Sequence, residues 1–212
     1  MANQCPLCCS SQTQPYFKNN DASYFSCTRC DLVFTPEEFH LSESAEKTRY
    51  DSHQNNPKDK GYREFLSQVF DPLVGRIQTG AKGLDFGCGP GPTLSVMFEE
   101  RGYSVDLFDK FYANDQSIFN NKYDFITVTE VAEHLDSPGD ELTRLFNMLR
   151  VEGVLAVMTK ILNEQFDFKS WYYKNDPSHI GFYNDKSLTG LASLLELEIT
   201  QFSDRVIFFK KS

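Results

Sequence analysis

Gly83-Leu84-Asp85-Phe86-Gly87-Cys88-Gly89-Pro90-Gly91-Pro92, followed by Thr93-Leu94-Ser95-Val96-Met97-Phe98-Glu99-Glu100, carries a short apolar strand through three alternate glycines into a helix. Pro92 suits the first turn of that helix. Glycines are needed where the backbone turns sharply and a ligand comes within contact distance of it, and a helix amino terminus adds free N–H donors. The G-x-G pattern alone is a weak signal, and a glycine-rich turn without a ligand would read the same way.

Two neighbours sharpen it. Tyr103-Ser104-Val105-Asp106-Leu107-Phe108-Asp109 reads as a second strand ending in an acid 20 residues after Gly89. An acid at that place hydrogen-bonds ribose hydroxyls, which points to a ligand containing adenosine. A dinucleotide site wants a third Gly or Ala at position 92, where this chain has Pro, and Asp85 would repel a pyrophosphate. A cationic ligand bearing an amino group, such as S-adenosylmethionine, would welcome that carboxylate.

Together with Tyr123-Asp124-Phe125-Ile126-Thr127-Val128-Thr129-Glu130-Val131-Ala132-Glu133-His134-Leu135 and Leu149-Arg150-Val151-Glu152-Gly153-Val154-Leu155, these pieces make residues 50–212 resemble a class I S-adenosylmethionine-dependent methyltransferase. The resemblance implies an α/β, Rossmann-like, mostly parallel seven-stranded sheet that ends in an antiparallel hairpin. Glu196-Leu197-Glu198-Ile199-Thr200-Gln201-Phe202 and Arg205-Val206-Ile207-Phe208-Phe209, joined at Ser203-Asp204, fit that hairpin independently. It also implies that the cofactor is met by Asp85 at its amino-acid end, by Gly87, Cys88, Gly89, Gly91 and Thr129, and by Asp109 at the ribose. One departure stands out: only 13 residues, Lys110 to Lys122, separate Asp109 from the 123–129 strand, where the fold spends a helix and a strand. Either that excursion is a stub around Ser117-Ile118-Phe119 or the sheet lacks its outer strand, and the adenine contacts stay open.

Glu130, Glu133 and His134 are spaced i, i+3 and i+4 where the strand 123–129 hands over to a predicted helix running to about Leu149. That spacing places all three on one side of the helix's first turn, at the sheet edge where open α/β folds bind ligands. His179, in the aromatic segment 171–183 after the strand 153–159, returns to the same edge. The four are a candidate site for Mg²⁺, Mn²⁺ or a similar ion. The arrangement resembles the metal site of small-RNA 2′-O-methyltransferases and of the catechol O-methyltransferases of ubiquinone synthesis, where the metal holds vicinal oxygens near the methyl donor. The bland alternative is a pair of carboxylates at a helix amino terminus and a buried imidazole. Without a metal, His179 is the candidate general base, with Glu133 and His134 beside it. Tyr50-Asp51-Ser52-His53-Gln54-Asn55-Asn56 and Tyr62 are expected to fold over the cofactor. Trp171, Tyr172, Tyr173, Phe182 and Tyr183 form either a wall for a flat acceptor or local packing, and His40 is given no role.

Five of the six cysteines lie in the first 30 residues, as Cys5-Pro6-Leu7-Cys8-Cys9 and Cys27-Thr28-Arg29-Cys30. Two such C-x-x-C turns supply four soft ligands for a tetrahedral zinc, and the strands around them predict a zinc ribbon over residues 1–36. Metal binding supplies the folding energy that so small a core cannot. The zinc has no open position and is expected to be structural. Cys9 is a spare thiol that could replace Cys8, and disulfides are the rival reading. Residues 37–57 read as an acidic connector or lid and 58–212 as the transferase domain.

The chain has 212 residues and a formal net charge of −9, which weighs against a partner held by phosphates. Residues 1–48 carry three basic and six acidic side chains, so no basic arm is hidden there. No apolar run approaches a membrane span, and the first residues, Met1-Ala2-Asn3-Gln4-Cys5, lack an export signal, so a soluble cytoplasmic protein is expected. The expected activity is methyl transfer from S-adenosylmethionine to a small-molecule oxygen. The alternatives are a zinc-ribbon, methyltransferase-like module that binds a protein partner without catalysis, and an RNA methyltransferase.

Overall fold

A computed structural model describes residues 3–52, 55–201 and 203–212. The readings that rest on Met1 and Ala2, on His53 and Gln54 in the lid segment, and on Phe202 in the hairpin lie outside the described residues.

In chain order the larger sheet uses β4 (Lys82–Phe86), β5 (Ser104–Phe108), β6 (Tyr123–Thr129), β7 (Leu149–Met158), β9 (Leu197–Gln201) and β10 (Val206–Lys211). The smaller uses β1 (Thr13–Lys18), β2 (Ser23–Cys27), β3 (Val33–Phe34) and β8 (Gly181–Phe182). The larger sheet has the order β5-β4-β6-β7-β10-β9, with the first four strands parallel and β10 antiparallel to both neighbours. Helices α2 (Lys60–Val74) and α3 (Thr93–Glu99) cover one face, and α4 (Pro138–Met148) and α5 (Asp185–Leu194) the other.

The two-residue period of the strands divides the core between these layers. Phe125, Val154, Ala156 and Met158 belong to the buried cluster that holds Leu66, Phe70 and Phe98 of α2 and α3. The intervening Ile126, Leu155 and Val157 join Leu142, Phe146, Leu188 and Leu191 of α4 and α5. This is why β6 reads as a continuous apolar run rather than an alternating one.

The expected seventh strand is absent: the larger sheet has six strands among the described residues. A parallel crossover needs a dozen or more residues, and the 110–122 segment has too few for a crossover helix and a further strand. Asp109 and Ala113 instead close a tight bridge, and a 3₁₀ turn at Gln116–Asn120 buries Ile118 as the stub. The chain runs from β4 outward to β5 and then back across to β6. The crevice at the carboxyl ends of β4 and β6 is therefore the sheet's topological switch point.

The ribbon is tied into this fold. β8 pairs with β3, Val33 opposite Phe182 and Phe34 opposite Gly181, so a piece of the loop after β7 completes the ribbon sheet. Leu7, Leu32 and Phe34 belong to the same buried cluster as the α4 and α5 side chains. The Gly139 amide donates to the Pro6 carbonyl at 3.2 Å, and a Cβ at Gly139 would lie 2.3 Å from the Leu7 oxygen. Between ribbon and α2, the acidic connector forms α1 (Glu43–Asp51), capped by Ser42 and without a buried residue. No described helix is long and apolar enough to cross a membrane.

Candidate active site

The glycine turn after β4 is held by the Gly87 and Cys88 amides, which donate to the Phe108 carbonyl at 2.7 and 3.1 Å. Gly87 has φ +78°, and a Cβ there would meet Val131 Cγ2 at 2.3 Å. At Gly91 a Cβ would fall 2.0 Å from the Asn55 carbonyl oxygen. Glycine at 87 and 91 is thus required by the chain's own close approaches, whereas Gly89 (φ +64°) faces more open space. Above the turn lies a cavity of about 870 Å³, walled by α1, the end of β6 and the 172–179 loop.

Asp109, read from the sequence as the ribose contact, stands in that wall. Its Oδ2 accepts from the Gly89 amide at 3.0 Å, and Oδ1 accepts from the Phe111 and Tyr112 amides at 2.8 and 3.2 Å. The carboxylate therefore fixes both turns, and Oδ2, with a single donor, keeps a lone-pair direction for a ligand. Gly87, Cys88, Gly89 and Thr129 also line the cavity, and Thr129 Oγ1 is buried without a hydrogen-bond partner among the described residues. Gly91 is not in the lining, because Asn55 covers it.

Asp85 is a correction. It is 4 % exposed, lies outside the cavity lining, and its Oδ1 accepts from the Thr127 hydroxyl at 2.8 Å. It sits under the turn and outside the cavity wall where the sequence reading placed it. Burial pushes its carboxyl up to about 6, against the pull of Thr127.

The helix predicted from about residue 130 is a second correction. A 3₁₀ turn covers Ala132–His134 and α4 starts only at Pro138. Glu130 adopts φ +52° and pairs with Arg205 at 3.3 Å, outside the cluster that the other three residues of the expected metal set form. Burial first and Glu133 second push the Glu130 carboxyl up to about 8, with Arg205 opposing.

The other three do converge: ligand atoms of Glu133, His134 and His179 all lie within 4.8 Å of one another. His134 Nδ1 donates to the Ser178 carbonyl and His179 Nδ1 donates to the Tyr173 carbonyl, each at 2.7 Å. A carbonyl can only accept, so each neutral ring carries its lone pair on Nε2. Burial, the largest influence, lowers the His179 pKa and favours that neutral form. Glu133 is fully buried, its Oε1 takes the Tyr173 hydroxyl, and its Oε2 has no partner among the described residues.

α1 covers this cluster. The Tyr50 ring packs edge-on against His134 with centroids 5.6 Å apart, Glu46 pairs with Lys110 at 2.6 Å, and Arg49 pairs with Asp176. Of the aromatic segment, Tyr172 and Tyr173 line the cavity, whereas Trp171 and Phe182 pack with Tyr24 and Phe168 beside the ribbon, and Tyr183 belongs to the main core. The packing alternative holds for those three. His40, given no role, bonds Asp136 at 3.0 Å and the Thr35 carbonyl at 2.9 Å.

In the ribbon, Cys5, Cys8, Cys27 and Cys30 converge, with Cys5 to Cys30 and Cys8 to Cys27 sulfur separations of 3.6 Å. Sulfurs bound at ~2.3 Å about a tetrahedral zinc would be ~3.8 Å apart, so the donor set and spacing fit that ion. Cys8 rather than Cys9 completes the cluster, and all six cysteines are free thiols.

Sequence reasoning missed Arg205, Glu46 and Lys110 as wall residues and, though it named Tyr173 as a wall candidate, did not foresee its bond to Glu133. Only Glu46 left a trace, in the Ser42 cap, the acidic first turn and the Lys47–Asp51 pair at i,i+4 that mark α1 as a helix.

The profile of the family described as "Methyltransferase domain" matches residues 59–201, and the chain belongs to that family. No curated protein matches the sequence. Among solved structures, the 1,6-didemethyltoxoflavin-N1-methyltransferase of Burkholderia thailandensis, determined with 1,6-didemethyltoxoflavin and S-adenosylhomocysteine, superposes with a TM-score of 0.57 at 13 % identity, over 94 % of this chain and 99 % of that one. An O-methyltransferase family protein from the same organism gives 0.52 at 13 % identity, over 69 % of this chain and 56 % of its own. An O-methyltransferase family 2 protein of Planctomyces limnophilus, in complex with apigenin, gives 0.51 at 13 %, over 69 % and 57 %. At these identities the likeness is one of fold, and this chain spans little more than half of the last two proteins.

Proposed function

We propose that this chain transfers a methyl group from S-adenosylmethionine to an oxygen of a small molecule, in one in-line displacement. The observation that carries the acceptor side is the convergence of Glu133, His134 and His179 beside the cofactor cleft, with two Nε2 lone pairs and one unpartnered carboxylate oxygen. Asp109 holds the ribose, the Gly87–Gly89 backbone passes beneath the ligand, and Thr129 Oγ1 gains the partner it lacks. The sulfonium is already a good leaving group, so the protein contributes alignment and exclusion of water, with α1 and Tyr50 closing the cavity.

Two imidazole nitrogens and one carboxylate oxygen form a donor set that suits Mn²⁺ or a neighbouring first-row ion better than Mg²⁺, once Glu130 is removed from it. Such an ion would supply Lewis acidity and orientation to the acceptor oxygen. The residues' own contribution is separate: the backbone carbonyls of Ser178 and Tyr173 fix both rings, and without an ion on that lone pair His179 Nε2 offers a site for the acceptor's proton. In the proposed division, residues 1–36 form a structural zinc ribbon, 37–57 a lid-bearing connector and 58–212 the transferase domain.

The structural neighbours crystallised with 1,6-didemethyltoxoflavin and with apigenin support a small-molecule acceptor. The test is to incubate the protein with methyl-labelled S-adenosylmethionine and separated fractions of a cell extract. Label is expected in the small-molecule fraction and is expected to vanish with His179→Ala. Label confined to RNA or protein would contradict the reading.

A further inference from the structure

We infer that Glu130 and Arg205 together read the zwitterionic amino-acid end of the methyl donor, Glu130 taking the ammonium and Arg205 the carboxylate. This rests on the S-adenosylmethionine reading above and assigns residues of the cavity wall to the ligand's amino-acid end.

The direction of the ligand across the sheet follows from the strand order. Asp109 immediately follows β5, at the edge of the parallel strands, and is the residue proposed above to hold the ribose. From there the glycine turn after β4 leads to β6, and a ligand with its ribose at β5 extends its other end over β6 and toward β7 and β10. β5 and β6 lie two steps apart, about 10 Å at the usual strand spacing. Glu130 is the first residue after β6, and Arg205 immediately precedes β10. Both line the cavity.

The remaining charges at that end are accounted for elsewhere. Glu133 is bonded to Tyr173 and grouped with the two histidines. Lys110 and Arg144, the other cations in the wall, sit by β5 and on α4, the first paired with Glu46 and the second with Glu141. Arg205 is therefore the cation of the cavity wall on the β10 side among the described residues.

The pair's geometry also suits exchange with a ligand. The Arg205–Glu130 contact is a single one of 3.3 Å, longer than the 2.7–2.9 Å of a strong charge-assisted bond. The other Arg205 amino group donates to the Tyr172 hydroxyl, again at 3.3 Å, and the guanidinium lies 5.8 Å from the Phe65 ring, which also lines the cavity. A ligand carboxylate could take Arg205 in a two-pronged contact while its ammonium occupies Glu130, so neither charge is left unpaired on binding. The left-handed backbone at Glu130 is the local cost of placing that carboxylate at the crevice and not along the strand.

The test compares S-adenosylhomocysteine with 5′-methylthioadenosine, which lacks the amino-acid end, by calorimetric titration of the full chain and of Arg205→Met, Arg205→Lys and Glu130→Gln. The native protein is expected to bind S-adenosylhomocysteine the more tightly. Arg205→Met and Glu130→Gln should weaken S-adenosylhomocysteine by roughly tenfold to a hundredfold and leave methylthioadenosine within about twofold, with Arg205→Lys in between. Native protein that binds S-adenosylhomocysteine no more tightly than its variants, or variants that lose both ligands equally, overturns the pair's role alone. Native protein that binds neither ligand overturns the methyl-donor reading and this inference with it.

Discussion

The Tyr173 hydroxyl donates its hydrogen bond to Oε1 of Glu133, and Oε2 of the same buried carboxylate has no partner among the described residues. Burial and the nearby carboxylates, Glu133 first, hold the Tyr173 phenol well above its ordinary range, so it stays a donor at any ordinary pH. One oxygen is thus anchored and the other is unpartnered, in a carboxylate that lies within 4.8 Å of ligand atoms of His134 and His179. A buried polar atom left unsatisfied costs about 1–3 kcal/mol, and natural structures retain few of them.

Removing the anchor separates position from stability. Tyr173→Phe leaves both Glu133 oxygens without that donor and should destabilise the fold by about 1–3 kcal/mol. S-adenosylhomocysteine affinity should stay within about twofold of native, while the transfer rate falls roughly tenfold or more. Thermal melting, titration and label transfer read the three effects. Unchanged transfer would remove Tyr173 from the site.

Asp85 gives a pH-dependent effect of definite sign. Its carboxyl is raised to about 6 in the folded state, so the folded chain binds that proton more readily than the unfolded chain. Above pH 6 the buried charge costs stability, and the cost is relieved as pH falls through 6 toward the unfolded value near 4. Asp85→Asn, which keeps an acceptor for Thr127, should raise stability at pH 7.5 by about 2–3 kcal/mol. The gain should shrink to nothing by about pH 4. Denaturant titrations at the two pH values check this, and a variant destabilised at pH 7.5 would contradict it.

The ribbon should bind one zinc per chain through Cys5, Cys8, Cys27 and Cys30. Because Cys5, Cys27 and Cys30 share a buried cluster with α4 and α5 side chains, losing the metal should lower the melting of the whole chain. Elemental analysis of chelator-free protein and melting of Cys27→Ser test it. Protein without zinc, or a variant that melts like the parent, would refute it.

The strands were the most legible part of this sequence. The glycine turn, Asp109, the β6 run and the terminal hairpin each rest on neighbours close in sequence or on a two-residue period. The lost strand was legible too, since 13 residues cannot hold a helix and a strand. The errors came where one residue's backbone decides. Helical spacing put Glu130 beside Glu133, but its left-handed φ turns it toward Arg205, 75 positions further on. Asp85 looked like a ligand contact because its depth under the turn depends on Thr127 of the adjoining strand. The joining of β8 to the ribbon pairs residues 33 and 182, and no local pattern announces it.

Gly91→Ala tests the lid's seat. The added carbon would lie 2.0 Å from the Asn55 carbonyl oxygen, so the connector must move off the glycine turn. Overpacking of this kind costs about 1–3 kcal/mol, and cofactor affinity should fall with it. Gly102→Ala, where no atom lies within 4 Å but φ is +81°, is the control for strain without displacement. Equal S-adenosylhomocysteine affinity in both variants would count against a lid seated on Gly91.

Calorimetric titration of the full chain with S-adenosylhomocysteine, beside Asp109→Ala, tests the central claim most directly. Saturable binding of one ligand per chain is predicted for the native protein, weakened at least roughly tenfold when the Asp109 carboxylate is removed. A native protein that does not bind, with Asp109→Ala equally silent, would contradict it.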